Sequence, residues 1–249
     1  MARYDFRTPR LFVDARLAAG ASVALDATQS NYLLNVLRRR ADDPVLVFNG
    51  RDGEWRATLS SAGKKRAALA VREQARPQAP AGDLHYWFAP LKHARLDYMV
   101  QKAVEMGASR LQPVLTRHTV ADRVNLNRMR ANAIEAAEQC GILSVPELGE
   151  PVPLTAALTR LESSRLLVFC DEDADVKDPV TALAGAAVER PAAAAVLIGP
   201  EGGFAEDERA AVMRHQRVVR LALGPRILRA DTAAVAALAL VGAVIGDWR

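Results

Sequence analysis

The sequence predicts two folds in one chain: a small β-barrel, followed by an α/β domain with a mostly parallel sheet. Short apolar runs separated by close turns fill residues 40–75, a pattern typical of a small barrel. After residue 83, apolar runs alternate with helical patterns, which favours parallel strands with helices on both faces. Because prolines and small residues mark a linker at 74–83, we expect domains at residues 1–75 and 76–249.

The elements of the barrel follow from turn chemistry and from strand patterns. Thr28 is a possible cap for a helix that the apolar spacing extends to Arg40. Asn49-Gly50 predicts a tight hairpin turn between two β runs. The predicted strands are Val45–Phe48, Glu54–Leu59 and Ala67–Val71.

The α/β domain is predicted from apolar runs that alternate with amphipathic segments. Its predicted strands are Leu84–Ala89, Leu111–Leu115, Arg165–Cys170, Val196–Gly199 and Val218–Leu223. Its predicted helices are Ala94–Met106, Asn127–Cys140, Phe204–His215 and Thr232–Val244. The apolar stretch from Ala233 to Ile245 is too short to cross a membrane, so it predicts a buried core helix.

Composition excludes several classes of protein. Half of the 249 residues are apolar and a quarter are charged, as in ordinary globular proteins. Two cysteines, Cys140 and Cys170, without a CxxC pair argue against a disulfide framework or a zinc site, so we expect no metal. The N-terminus lacks a signal-peptide pattern, and we expect a cytoplasmic protein that does not associate with membranes.

Charge is distributed unevenly along the chain. Residues 1–80 hold 14 Lys and Arg against 8 Asp and Glu, whereas residues 81–249 hold 19 against 21. The excess indicates either a solvated basic face or contact with a polyanion such as RNA. The basic candidates for phosphate contact are Arg7, Arg10, Arg38, Arg39 and Arg40. Aromatic residues near Arg7 and Arg10 are suited to base stacking or to the core of an edge strand.

Three predicted strands end in unusual loops: Cys170-Asp171-Glu172, Gly199-Pro200-Glu201-Gly202-Gly203, and Leu223 to Arg229. If these strands are neighbours, the loops surround one pocket whose polar groups are mainly backbone, suited to an adenine edge. The alternative is that Gly-Pro and Gly-Gly only form turns. The sequence contains no GxGxxG and no GxxxxGK[ST], which argues against dinucleotide and P-loop sites.

Four charged residues lie in or beside these tight loops: Glu201, Arg226, Arg229 and Asp231. They indicate either structural arginine–carboxylate pairs or a site where arginine binds an oxyanion and a carboxylate handles a proton. The four histidines are scattered, and each, His118 included, is expected to be structural or exposed.

Several segments carry a resemblance to a known family. Leu197–Phe204 and Leu223–Ala233 are similar to the C-terminal signature of the SPOUT methyltransferases. Within that superfamily the chain resembles the RsmE family, which methylates N3 of a uridine in 16S ribosomal RNA. Further matches, which extend the resemblance over nearly the whole chain, are Lys92, Leu96–Gly107, Ile134–Cys140 and Asn31–Arg38.

The resemblance implies a PUA-like barrel, an α/β SPOUT domain with a C-terminal trefoil knot, and a homodimer. It implies S-adenosylmethionine as methyl donor and uridine 1498 of 16S rRNA, in the 30S subunit, as acceptor. The implied cofactor residues are Phe169, Asp171, Leu197, Gly199, Pro200, Gly202, Gly203, Leu223, Gly224, Ile227, Leu228 and Thr232. For the chemistry we hypothesise that Asp231, or else Glu201, accepts the proton of uracil N3, and that Arg229 holds a phosphate or stabilises negative charge on the uracil oxygens. Lys92 joins the basic residues of the barrel as an expected RNA contact.

Three positions depart from the family pattern. Ala230-Asp231 stands where the family often has Thr-Glu, and Ile142 stands where it often has arginine. Two other functions compete: a methyltransferase of the same fold that acts on another RNA site, such as a tRNA ribose, and a non-catalytic RNA- or ribosome-binding protein.

Overall fold

The computed structural model describes residues 7–62, 66–92, 94–121, 123–175, 178–187 and 192–248. The chain folds into two compact units. The first contains the chain up to Pro80 together with Ala137–Val145. The second contains Ala81–Ala136 and the chain from Pro146 onward.

The first unit holds a five-stranded sheet in the order β1-β3-β4-β5-β2. β1 pairs with β3 in parallel, and the other pairings are antiparallel. The strands are β1 (Arg10–Phe12), β2 (Ser22–Ala24), β3 (Pro44–Phe48), β4 (Glu54–Ala62) and β5 (Ala67–Arg76). The three predicted strands are therefore confirmed, whereas the two three-residue strands, β1 and β2, carried no pattern long enough to predict.

The turn at Asn49-Gly50 joins β3 to β4, as predicted. The side-chain oxygen of Asn49 accepts hydrogen bonds from the backbone N–H groups of Arg51 and Asp52, and Gly50 adopts a φ of 83°. An asparagine that bonds forward to its own backbone and a glycine at positive φ are what a tight turn requires.

The predicted helix from Thr28 to Arg40 is wrong in length and in its cap. Asp26, not Thr28, caps α1 (Ala27–Asn31) by accepting a hydrogen bond from the N–H of Gln29. The chain then continues as a π-helical turn over Tyr32–Val36. Arg38 adopts a φ of 54°, which ends the helix before the arginine run because an L-residue rarely continues a helix from that region.

The second unit is an α/β domain with a parallel sheet, as predicted. Its strand order is β12-β10-β11-β6-β7-β8, with β9 paired to β7. The strands are β6 (Leu84–Phe88), β7 (Arg110–Leu115), β8 (Glu147–Leu148), β9 (Val152–Pro153), β10 (Leu166–Cys170), β11 (Ala194–Ile198) and β12 (Val218–Leu221). The helices are α2 (Ala94–Glu105), α3 (Leu126–Gln139), α4 (Leu154–Arg160), α5 (Pro179–Ala186), α6 (Glu206–Met213) and α7 (Ala230–Val244).

Helices cover both faces of this sheet. Trp87 and Phe169 point to one face and share a core with Leu154 of α4 and Val212 of α6. Tyr86 points to the other face, where its hydroxyl lies 3.7 Å from the sulfur of Met99 in α2. α7, the predicted core helix, packs with α2 and α5. No helix among the described residues is long and apolar enough to span a membrane. The trefoil knot that the family resemblance implies stays a prediction.

Candidate active site

The three unusual loops follow strands that are neighbours in the sheet. β10 lies between β12 and β11. Cys170, the last residue of β10, is in register with Ile198 of β11 and with Leu221 of β12. All three strands are parallel, so their carboxyl ends meet at one edge. This is the position where open α/β sheets bind ligands.

A cavity of about 510 Å³ lies at this edge. It is lined by Cys170, Asp171, Glu172, Ile198, Gly199, Pro200, Glu201, Gly202, Gly203, Ala222, Leu223, Gly224, Pro225, Arg226, Ile227, Leu228, Arg229, Ala230 and Ala233. Each of the three loops therefore contributes residues to the lining of the same cavity. This arrangement favours a binding pocket over the alternative that the Gly-Pro and Gly-Gly segments only form turns.

Nine of the predicted cofactor residues line this cavity: Asp171, Gly199, Pro200, Gly202, Gly203, Leu223, Gly224, Ile227 and Leu228. Thr232 is not among the lining residues. Phe169 and Leu197 do not line it either, because both side chains are fully buried in the core of the second unit. The Phe169 ring packs edge-on against Phe204, with centroids 5.0 Å apart, so these strand residues support the loops from within.

Two positions of the cavity wall require glycine for different reasons. A Cβ on Gly199 would lie 2.5 Å from the Phe204 ring, so any side chain there would displace the loop. Gly224 adopts a φ of 92°, a conformation that other L-residues rarely take.

The three predicted catalytic residues fall into two groups. Glu201 and Arg229 line the cavity. Asp231 lies in the first turn of α7 and is not among the lining residues; its carboxylate accepts a hydrogen bond from the N–H of Thr232. Glu201 forms an ion pair with Arg95 at 3.3 Å, and both side chains are about half exposed. Glu201 is thus paired with an arginine of α2, which the sequence did not single out.

His118 is exposed, as the sequence predicted, and it also contacts one of the cavity loops. Its Nδ1 lies 2.9 Å from the carbonyl oxygen of Gly202 and 3.3 Å from that of Gly203, so Nδ1–H donates to this loop. The sequence did not predict this contact, which arises because His118 follows β7 at the same sheet edge.

The side chain of Asp171 is engaged by arginines. It has no solvent-exposed surface, and its Oδ2 lies 3.1 Å from Nε of Arg209 and 2.7 Å from Nη2 of Arg220. Burial, and then the negative charge of Asp171, raises the pKa of the neighbouring Cys170 thiol to about 12. Cys170 is therefore protonated at neutral pH and does not serve as a nucleophile.

The basic residues of the first unit differ in their surroundings. Arg38 and Arg40 are exposed, as is Arg7, while Arg39 is half-buried. The structure does not support the prediction that Arg10 contacts RNA. Its guanidinium is only 9% exposed and already donates to Glu54 and to the carbonyl oxygens of Ala137 and Glu138. Its donors are used in holding the fold. Lys92, in the second unit, is exposed.

Comparison with known proteins gives two family matches. Residues 77–242 match the model of an RNA methyltransferase domain, and residues 25–71 match that of an RNA methyltransferase PUA domain. Similar curated proteins include ribosomal RNA small subunit methyltransferase E of Rickettsia conorii, 27% identical over 93% of this chain and 94% of the relative. The same-named protein of Synechocystis is 30% identical over 95% of this chain and 78% of the relative.

Two solved structures are similar over almost the whole chain. One is a ribosomal RNA small subunit methyltransferase E from Neisseria gonorrhoeae bound to S-adenosylmethionine, with a TM-score of 0.85 and 27% identity over 98% of this chain and all of that one. The other is a putative methyltransferase from Legionella pneumophila, also bound to S-adenosylmethionine, with a TM-score of 0.81 and 27% identity over 96% of this chain and 98% of that one.

Proposed function

The chain belongs to the ribosomal RNA small subunit methyltransferase E family, and from that premise we propose that it methylates N3 of a uridine in 16S rRNA. The methyl donor is S-adenosylmethionine, and the expected acceptor is uridine 1498 of the small subunit. A ribosomal substrate would place this activity in the cytoplasm. The observation that carries the proposal is the cavity at the carboxyl ends of β10, β11 and β12.

The cavity suits this cofactor in size and chemistry. Its volume of about 510 Å³ lies within the range of about 300–1,000 Å³ that is usual for small-molecule sites. Most of its lining residues lie in three loops, and the backbone N–H and C=O groups of such loops are suited to the donors and acceptors of an adenine edge. At Gly224 the space beside the backbone is open, since a Cβ there would meet nothing within 4 Å, and a ligand can approach closely. When bound, the cofactor supplies a methyl group already activated by its sulfonium charge.

The residues of the chain then have to position the base and remove a proton. Uracil N3 carries a weakly acidic proton on its Watson–Crick edge, so the base has to be unpaired and the proton has to leave. We assign proton removal to Asp231, with Glu201 as the alternative because it lines the cavity. Arg229, at the cavity wall, stabilises the negative charge that develops on the uracil oxygens.

The first unit is the proposed RNA-holding part. Arg7, Arg38, Arg39 and Arg40 would contact phosphates, and Lys92 of the second unit is a further proposed RNA contact. Such contacts give an affinity that falls steeply with salt. Residues 25–71 match the PUA domain of RNA methyltransferases, which supports this role. A homodimer is part of the proposal, and light scattering of the purified protein tests it.

Mass mapping of rRNA tests the function. Purified 30S subunits and naked 16S rRNA, both from a strain without the modification, are incubated with enzyme and isotopically labelled S-adenosylmethionine. We expect one labelled methyl at N3 of one uridine. Methylation of a ribose or of another base would support the competing methyltransferase function, and cofactor-independent RNA binding without methylation would support the non-catalytic one.

Two substitutions test the proton assignment. Asp231→Asn is expected to abolish methyl transfer and to leave the dissociation constant of S-adenosylmethionine unchanged. Glu201→Gln is the parallel variant. Full activity of Asp231→Asn with loss of activity in Glu201→Gln would move the role to Glu201.

A further inference from the structure

Asp171 occupies a junction between the three walls of the cavity. It directly follows β10, and its backbone N–H donates to the carbonyl of Leu221, the last residue of β12. Its carboxylate accepts from both of its arginine partners: Oδ1 and Oδ2 from Arg209, and Oδ2 from Arg220. The N–H of Asp173 lies a further 3.3 Å from Oδ1. Because these donors fill its acceptor sites, the carboxylate has no lone pair left for a ligand in the cavity.

The two arginines belong to the elements that carry the other two loops. Arg209 lies in α6, which begins shortly after the loop Gly199–Gly203. Arg220 lies in β12, immediately before the loop that contains Gly224 and Arg229. One buried carboxylate therefore links the end of β10 to the elements that support the two glycine-containing loops.

The loop Gly199–Gly203 also lies directly against the acidic segment. A Cβ on Gly203 would overlap Oε1 of Glu172, and Arg209 contacts Glu172 at 3.5 Å and Asp173 at 2.8 Å. Arg209 thus contacts all three consecutive acidic residues. Of these three carboxylates only that of Asp171 is fully buried.

We infer that Asp171 is a positioning residue of the cofactor site, which fixes the spacing of its three loops through Arg209 and Arg220 and does not contact the cofactor. This inference rests on the proposed function of the cavity. Asparagine at this position keeps the size of the side chain but removes the charge and one acceptor. Two guanidinium groups would then lie close together without the carboxylate between them, and they would repel each other.

Calorimetric titration with S-adenosylmethionine tests the inference. Asp171→Asn is expected to raise the dissociation constant about tenfold, because the charge that holds Arg209 and Arg220 together is lost. At saturating cofactor, kcat is expected to stay within about threefold of wild type, because the carboxylate does not touch the reacting atoms. The KM for RNA is expected not to change. A large loss of kcat at saturation would contradict a positioning role.

Asp83→Asn is the matched control. Asp83 pairs with the buried guanidinium of Arg165 at 2.7 Å, in the same unit but beside the amino end of the sheet. Its loss is expected to lower the melting temperature without changing cofactor affinity. If Asp171→Asn behaves in the same way, with a lower melting temperature and wild-type affinity, Asp171 is only structural and the inference is wrong.

Arg220→Gln breaks the same link from its more exposed side and keeps the test decisive if Asp171→Asn does not fold. We expect Arg220→Gln to bind the cofactor more weakly than wild type. Where both single variants fold, we expect the double variant with Asp171→Asn to have a dissociation constant close to that of either single variant. Wild-type affinity in Arg220→Gln would overturn the inference. Absence of cofactor binding by the wild-type protein would instead refute the proposed function.

Discussion

Two buried carboxylates, one in each unit, face two arginines each. Glu54 in the first unit is 5% exposed and contacts Arg10 at 2.6 Å and Arg76 at 2.8 Å. Asp171 in the second unit is fully buried and contacts Arg209 and Arg220. We call each carboxylate with its two arginines a trio, the Glu54 trio and the Asp171 trio. The two trios have nearly the same chemistry but lie in different surroundings.

The two arginines that pair with Glu54 donate their remaining N–H groups to backbone carbonyl oxygens. Arg10 donates to the carbonyl oxygens of Ala137, Glu138 and Ile142, and Arg76 donates to that of Gly141. The trio therefore fastens residues 137–142 to the sheet of the first unit. Asp171, by contrast, belongs to a cavity wall. A buried arginine–carboxylate group is therefore not by itself evidence of function, and its role depends on which segments it holds.

The largest effect is expected from Glu54→Gln. It leaves two guanidinium groups in a buried position without a counter-charge, which costs about 3–5 kcal/mol of unfolding free energy. Chemical denaturation followed by tryptophan fluorescence measures this loss. Cofactor affinity of the folded protein is expected to be unchanged, in contrast to Asp171→Asn.

Glu73→Gln is the control for this loss. Glu73 pairs with Arg56 at 3.5 Å on the surface, where both side chains are more than half exposed, so its removal is expected to cost less than about 1 kcal/mol. Equal losses in Glu54→Gln and Glu73→Gln would show that the Glu54 trio does not hold the fold.

The same trio predicts how stability depends on pH. Burial raises the pKa of Glu54, but hydrogen bonds from Arg76 and Arg10 outweigh it and hold the pKa below its ordinary value of 4.5. A carboxyl with a lowered folded-state pKa stabilises the protein above its unfolded-state pKa, and this stability is lost as pH falls through the folded-state pKa. Below pH 4.5 we therefore expect the unfolding free energy of Glu54→Gln to fall less steeply with decreasing pH than that of wild type. Denaturation at several acid pH values measures this difference.

A smaller effect is expected from the exposed arginines of the first unit. Replacing Arg38 and Arg40 with glutamine is expected to weaken RNA binding about tenfold at low salt and to reduce the salt slope by about 0.7–0.9 for each lost phosphate contact. Filter binding at several salt concentrations measures both quantities. Replacement of Arg56 and Arg72, which removes the same charge from strands β4 and β5, is the control, and an equal loss there would refute a localised contact.

The smallest effect is expected from Gly224→Ala. A Cβ there meets nothing within 4 Å, so the change acts only through the φ of 92° and costs about 1–2 kcal/mol of backbone strain. We expect cofactor affinity to fall by about fivefold as the loop relaxes. Gly107→Ala carries the same strain (φ of 86°) in the turn after α2 and is expected to leave affinity unchanged in the same calorimetric titration.

Much of the second unit was predictable because its information is local. An apolar run that ends in Gly-Pro identifies a strand end without knowledge of its neighbours, and strand order then brings the loops together. Partners far apart in sequence were not predictable. Arg10 looked like an RNA contact because its partner Glu54 lies 44 residues away. Nothing in the sequence near Asp171 indicates that Arg209 and Arg220 are its partners.

The length of the first helix was not predictable from apolar spacing. Apolar spacing favoured a helix from Thr28 to Arg40, but the π-helical turn at Tyr32–Val36 and the positive φ of Arg38 end it early. Periodicity alone does not distinguish an α-helix that continues from one that widens into a π-turn.

A crystal structure of the protein with S-adenosylmethionine tests the central claim most directly. The cofactor is predicted to lie in the cavity between the ends of β10, β11 and β12, against the loops that contain Gly199 and Gly224. The Asp171 carboxylate is predicted to remain on Arg209 and Arg220, without contact to the cofactor. A cofactor bound elsewhere would contradict the assignment of the site, and a direct bond from the Asp171 carboxylate to the cofactor would contradict its role as a positioning residue.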